Sequence, residues 1–441
     1  MTAAPAPVAV EDAAFDDPVA LAGATRRRIF LYLGSLIVLL AFASPVGGLM
    51  DIPVSFFLKN RLALSASEVA TFRLLAGIPL YGAFLFGLLR DTWHPFGMRD
   101  RGHMALFSIA GAAAFGLFAL LPATYGTLLA AMIVTTAASL CVASAQSGLA
   151  AALGRQHAMT GQVSAVWNIF ASLPGVAALI VGGHLSEALE RVSFDNAARA
   201  LYLAGAALSL GVALFCLWRP KAVFDNLRFA PSLGLRPLAD LRRLAAHKPV
   251  YPALGIWLLW NFAPGSTTPL QYYLQNTLHA GDSDWGLWNA IFALAFIPTF
   301  AIYAALCRRV PLHRLLFWGT IVAVPQFVPL LFAQTTTSAL WAAVPIGLMG
   351  GVSTAAYTDL IIRAAPAGLE GTTLMAMSGL YYVSSRFGDV LGTFIYDRTQ
   401  DFTLCVAMIT AVYASILIVL RFVPAELTAK ADGEAPGSSA S

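Results

Sequence analysis

Charged side chains set inside long apolar stretches are the residues of this chain best suited to chemistry: Asp51 in the first stretch, and Arg386 with Asp389 in the eleventh. An ionisable group at membrane depth costs on the order of a few kcal/mol, so its retention calls for a use. Asp51 stands beside Pro45, Gly47, Gly48 and Pro53, residues that loosen a helix and free backbone carbonyls. Such a break is tolerated only where it faces protein or a watery cavity. A carboxylate there can carry a proton; the other reading is an Asp that caps the broken helix or pairs with Arg73. In the eleventh stretch Ser378, Tyr382, Ser385, Asp389, Gly392 and Tyr396 share one helical face, and Arg386 precedes Asp389 by one same-face step. Two readings stay open for that pair. Either it is a permanent structural ion pair, or a substrate carboxylate competes for Arg386 while a proton releases Asp389.

The seventh stretch carries a polar stripe, Asn261, Pro264, Gly265, Thr268, Gln271, Tyr272 and Gln275, in steps of three and four. Amides and a phenol bind a polar solute without the desolvation cost of a charge, although small and polar residues also glue helices together in lipid. Gln146, Gln162, Trp167 and Asn168 add amides and an aromatic plane suited to a ring-bearing solute. Asp359 and Arg363, four apart at the end of the tenth stretch, suit an ion pair or gate latch rather than a binding site. No Gly-x-x-x-x-Gly-Lys phosphate loop and no HExxH occurs, and Cys141, Cys216, Cys307 and Cys405 lie in or at the ends of apolar stretches without close partners. Catalytic, metal and cofactor sites are therefore not expected. Any work must be driven by a gradient or by the substrate itself.

Of the 441 residues 58% are hydrophobic and 11% charged, far below the roughly 25% charged of a water-soluble domain. Twelve apolar runs, each long enough to cross about 30 Å of hydrocarbon as a helix, fall near 30–58, 67–90, 103–122, 126–150, 160–185, 199–218, 250–275, 283–307, 311–331, 338–362, 371–396 and 402–423. The expected organisation is an all-α membrane protein: a disordered tail (1–28), a six-helix bundle (29–218), a polar connection (219–249), a second bundle (250–423) and a disordered tail (424–441). Most of the 27 Lys and Arg fall on one side of these runs, which predicts that both termini and the central connection are cytoplasmic. Topology thus accounts for the basic residues, and no nucleic-acid partner is needed.

The two halves repeat. Pro53-Val-Ser-Phe-Phe-Leu-Lys-Asn-Arg-Leu62 returns 216 residues later as Pro269-Leu-Gln-Tyr-Tyr-Leu-Gln-Asn-Thr-Leu278. Ser67-Glu68 and Ser283-Asp284 continue the register and predict capped helix starts. Gly161 and Gly182 answer to Gly371 and Gly392 at an offset of 210. The halves differ where Asp51 meets Thr267, Ser55 meets Gln271, Arg386 meets Val176 and Asp389 meets Leu179, and those mismatches are where solute and proton are expected.

Between the second and third runs stands Gly87-Leu-Leu-Arg-Asp91-Thr-Trp-His-Pro-Phe-Gly97-Met-Arg99-Asp-Arg101. This loop resembles the signature of the major facilitator superfamily. The resemblance implies twelve helices in two six-helix bundles, a central cavity, and alternating access by rocking of the bundles. Asp91, Arg99 and Arg155 are the expected gate residues: Asp91 ends the second run, where its carboxylate can pair with an Arg across the bundle, and Arg155 at the end of the fourth run is the candidate. The long form of the loop, with Pro-x-x-Phe-Phe-Leu-Lys-Asn, is similar to the folate-biopterin transporters and the related muropeptide permeases. One departure is the fourth run, which reads Ser144-Ala-Gln146-Ser147-Gly148 where those families carry acidic residues.

Together these readings predict a monomeric secondary transporter in a bacterial inner membrane, moving a small, anionic, ring-bearing organic solute with protons. Its expected solute-binding residues are Asp51, Gln146, Trp167, Asn168, Asn261, Thr268, Gln271, Tyr272, Tyr382 and Arg386, with Asp51 and Asp389 coupling the proton. An exporter of hydrophobic compounds and a non-transporting assembly factor on the same fold are the alternatives.

Overall fold

Helix formation follows the apolar runs, and the breaks follow glycine and proline. A computed structural model describes residues 23–64, 66–225 and 237–432. The acidic N-terminal stretch, Ser65, Arg228, Arg236 and residues 433–441 lie outside the described residues. Among the described residues every element is helical.

The first half holds α1 (Gly23–Ala43, resuming as Asp51–Phe56 and Phe57–Arg61) and α2 (Ala66–Ala76, Ile78–Tyr81 and Ala83–Thr92). It continues with α3 (Arg99–Phe118), α4 (Tyr125–Gln156), α5 (Thr160–Glu190) and α6 (Phe194–Phe215). Short helices Lys221–Phe224 and Pro237–Ala246 lie in the connection. The second half holds α7 (Val250–Asn261, resuming as Thr268–Tyr272 and Tyr273–Thr277), α8 (Asp282–Leu306), α9 (Leu312–Ala323), α10 (Thr336–Ala364), α11 (Glu370–Thr399) and α12 (Phe402–Val419). Seven helical spans among the described residues are long and apolar enough to cross a membrane.

The repeated stretch has the same backbone in both halves. After the break each helix widens into bonds five residues long, Leu62 N–H to Phe57 O at 3.0 Å and Leu278 N–H to Tyr273 O at 3.3 Å. Each then stops on a left-handed residue, Ala63 (φ 48°) or His279 (φ 57°). The matched aromatics are anchors: Phe57 meets Phe194 edge-on at 5.5 Å, and Tyr273 stacks on Phe402 at 4.4 Å. The breaks themselves need glycine. Gly265 has φ 106°, and a Cβ there would lie 2.5 Å from the Cβ of Cys405.

Two local expectations change. The cap of α8 is Gly281, whose N–H donates to the Asp284 carboxylate at 2.8 Å, so the acid closes the first turn and Ser283 lies inside the helix. The tails are also shorter than composition suggests. α1 begins at Gly23 and carries Arg26, Arg27 and Arg28, while residues 425–432 form a short helix α13 (Ala425–Thr428) and a docked strap. The Arg363 guanidinium holds the strap through the carbonyl of Lys430 at 2.9 Å, an anchor that composition alone does not show.

Within the halves α3 packs on α4 and α6, and α10 packs on α8 and α9. Across the halves α2 and α4 meet α11, and α5 meets α8 and α10. These cross-half seams bring the α1 break, α2 and α11 around a common space.

Candidate functional site

Because α1 breaks at residues 44–50, Asp51 stands at the start of a new helical piece rather than in mid-helix. It lines a cavity of about 190 Å³ together with Ser55, Arg73, Tyr81, Tyr382 and Arg386. Arg73 donates through Nη2 to Ser55 Oγ at 2.8 Å, and Ser55 Oγ donates to the backbone carbonyl of Asp51 at 2.8 Å. That chain orients one guanidinium beside the carboxylate. Among the described residues Asp51 makes no ion pair, and the Arg386 side chain makes neither an ion pair nor a hydrogen bond. Two guanidiniums against one carboxylate leave one positive charge in excess, with two phenols as further donors. In surroundings less polar than water such a site attracts an anion strongly.

A second cavity of about 220 Å³ adjoins the first, since Leu80 and Tyr382 line both. Its walls are mainly apolar, with Trp167 on α5 and Gln146 on α4. Gln146 is buried and its Nε2 has no hydrogen-bond partner. A buried donor left unpaired costs free energy, so a polar acceptor entering this space would be rewarded. Together the two spaces offer a cationic, phenol-bearing part and an apolar part with an indole face.

Of the expected binding residues, Asp51, Gln146, Trp167, Tyr382 and Arg386 line these cavities. Several polar residues are used locally instead. Asn168 Nδ2 donates to the Ser164 carbonyl at 2.8 Å and Asn261 Nδ2 to the Trp257 carbonyl at 2.8 Å, each one turn back in its own helix. Gln271 and Tyr272 line neither cavity, and Tyr272 is exposed. The expected Arg386–Asp389 pair is absent. The α7 break leaves the Thr268 N–H without a helical partner, and Asp389 accepts from it and from Thr268 Oγ1, both at 2.9 Å. Asp389 is thus the cap of the resumed helix.

At the arginine-rich end the partners also differ from expectation. Asp91 does not pair with Arg155. Its carboxylate accepts from the Thr372 N–H and Oγ1 at 2.6 Å, across the halves at the start of α11, and from Arg90 Nη1 at 2.6 Å. A helix start favours a carboxylate, which explains the choice. Arg90, which sequence reasoning passed over, is buried and bridges Asp91 to Asp100, the latter at 2.5 Å. Gly148 makes room for it, since a Cβ there would lie 2.4 Å from the guanidinium carbon. That glycine in the fourth run was the available signal. Arg99 begins α3 with φ 49°. Arg155 pairs with Glu370 at 3.2 Å and donates to the Ala365 carbonyl. Asp359 and Arg363 do pair, at 2.9 Å, and Tyr303 donates to the same carboxylate at 2.8 Å. Arg363 also meets Asp432 of the strap at 3.0 Å.

A family model for the Major Facilitator Superfamily matches residues 79–393, more than half of the chain. A folate-biopterin transporter from Synechocystis sp. is 22% identical over 397 residues, covering 86% of this chain and 79% of that one. The human organic anion transporter TETRAN has the same fold at TM-score 0.67 and 15% identity, over 90% of this chain and 99% of its own. The E. coli fucose:proton symporter does so at TM-score 0.64 and 16% identity, over 90% and 98%. With its helices, its two-half repeat and its cavity at the seam, this chain belongs to the Major Facilitator Superfamily, as an integral membrane secondary transporter and not an enzyme.

Proposed function

We propose that this transporter moves a small organic anion bearing a ring, coupled to protons, as a monomer in a bacterial inner membrane with both termini cytoplasmic. The observation that carries the reading is the charge balance of the first cavity, Arg73 and Arg386 against Asp51. Arg386, without a protein partner among the described residues, takes the solute's carboxylate or equivalent anion. Tyr81 and Tyr382 donate to its oxygens, and the ring reaches the apolar second cavity toward Trp167 and Gln146. Asp51 carries the proton: protonated, it raises the site's positive charge and favours the anion. Alternating access then requires the arginine-rich end, closed here, to open in turn. The named functions of the folate-biopterin and organic anion transporters fit this chemistry, and the fucose:proton symporter fits proton coupling.

A thermal-shift panel of pterins, folates, aromatic acids, sugars and their uncharged analogues tests the substrate class, because a ligand of the folded state stabilises it by mass action. Ring-bearing anions should raise the melting temperature, and Arg386→Gln should remove that shift while leaving the unliganded melting temperature in place. Stabilisation by neutral sugars alone, unchanged in Arg386→Gln, would sink the anion assignment.

A further inference from the structure

The arginine-rich ends of α5 and α11 present one problem twice. α5 starts at Thr160 and α11 at Glu370, the 210-residue offset of the internal repeat. Both starts leave backbone N–H groups that need an acceptor. Both lie against the opposite half so closely that only glycine fits. A Cβ on Gly371 would lie 2.8 Å from Asp91 Oδ1, and one on Gly161 would lie 2.7 Å from the Cβ of Cys307.

The solutions differ. α11 is capped by Asp91, built into the end of α2. The position related to Asp91 by the 216-residue offset is Cys307, at the end of α8, which has no carboxylate to give. The missing acid arrives on the C-terminal strap. Asp432 accepts from the Gly161 N–H at 3.2 Å, the Gln162 N–H at 3.0 Å and Thr160 Oγ1 at 3.4 Å. It also accepts from Arg363 Nη2 at 3.0 Å, and its own N–H donates to the Cys307 carbonyl at 2.8 Å. Asp432 is buried, and so is Cys307 beneath it. One side chain on a tether therefore joins the start of α5 in the first half to α8 and α10 in the second.

We propose that residues 425–432 form a detachable latch, in which Asp432 stands in for the acid that α8 lacks and holds the arginine-rich end shut until the strap lets go. Asp91 travels with the first half whenever the halves rock. Asp432 is joined covalently to the second half only through the chain beyond α12, so once its bonds to Arg363 and the Cys307 carbonyl are given up it can leave the α5 start without moving a membrane helix. The two junctions are then unequal: one is broken by rocking alone, the other by strap release. This needs only that the arginine-rich end opens during turnover, whatever the solute.

Spin labels on the full chain read the state of that end directly, at Phe96→Cys in the first half and Arg309→Cys in the second, both exposed, in a background without the four native cysteines. Asp432→Asn should raise the open, long-distance population about tenfold, the factor a single charge-assisted hydrogen bond supports. Removal of residues 425–441 should do at least as much, and Asp432→Glu should restore the closed distribution. Ligand-induced thermal stabilisation of each variant reports whether the cavity end remains folded. An unchanged distance distribution in a variant that still responds to ligand would overturn the latch. So would an opening that Asp432→Glu fails to reverse.

Discussion

The breaks in α1 and α7 are related by the 216-residue offset, share the same widened turn, and each have a carboxylate beside them. In α7 the first N–H after the break belongs to Thr268, and Asp389 from α11 takes it together with the hydroxyl. In α1 the place of Thr267 is held by Asp51, and the place of Asp389 is held by Leu179. The second half spends its acid on the scaffold. The first half keeps its acid on the cavity wall, beside Arg73 and across from Arg386. A charge at membrane depth is thus not by itself a transport residue. What separates the two is which groups the carboxylate meets: Asp389 is taken by the N–H and hydroxyl of Thr268 in another helix, while Asp51 meets the backbone of its own break at Gly47 and faces the cavity arginines.

The largest effect that tests this division is on Asp51. Asp51→Asn should abolish accumulation driven by a proton gradient in proteoliposomes, while solute exchange and the melting temperature persist. Full gradient-driven accumulation by the variant would remove Asp51 from coupling and erase the distinction between the halves. Asp389→Ala should do the reverse. It strips an acceptor from the Thr268 N–H and hydroxyl, a loss of about 1–3 kcal/mol, visible as a lower melting temperature with residual transport still proton-driven. A variant of wild-type stability that has lost coupling would reassign Asp389 from cap to carrier.

The repeat, the broken helices and the cavity-facing acid are legible in the sequence because glycine, proline and aromatic spacing are local signals. The partners of the charges are not. Asp389 and Thr268 lie 121 residues apart, and Asp91 and Thr372 lie 281 apart. Each carboxylate took a helix start rather than the arginine expected for it, Arg386 for Asp389 and Arg155 for Asp91, since an unpaired backbone donor in a buried place competes well for it. Arg90 was hidden by its place beside Asp91 in a loop already rich in arginine. Asp432 was hidden by its neighbours Ala431 and Gly433, in a stretch whose composition matches a disordered tail.

The smallest effect concerns Ser55, which aligns with Gln271 in the other half. Ser55 Oγ receives Arg73 Nη2 and donates to the Asp51 carbonyl, so it ties the guanidinium to the α1 break. Arg73 is exposed, so the bond is screened and its net worth is about 0.5–1.5 kcal/mol. Ser55→Ala leaves both charges in place and frees Arg73 to sample other rotamers. If Arg73 matters as a positioned donor, the apparent KM for the anion should rise roughly threefold to tenfold with the maximal rate nearly constant. If it matters only as a diffuse positive charge, KM should stay within measurement error. The second outcome would place the directional part of anion recognition on Arg386 alone, the one cavity arginine that α11 supplies and its counterpart α5 replaces with Val176.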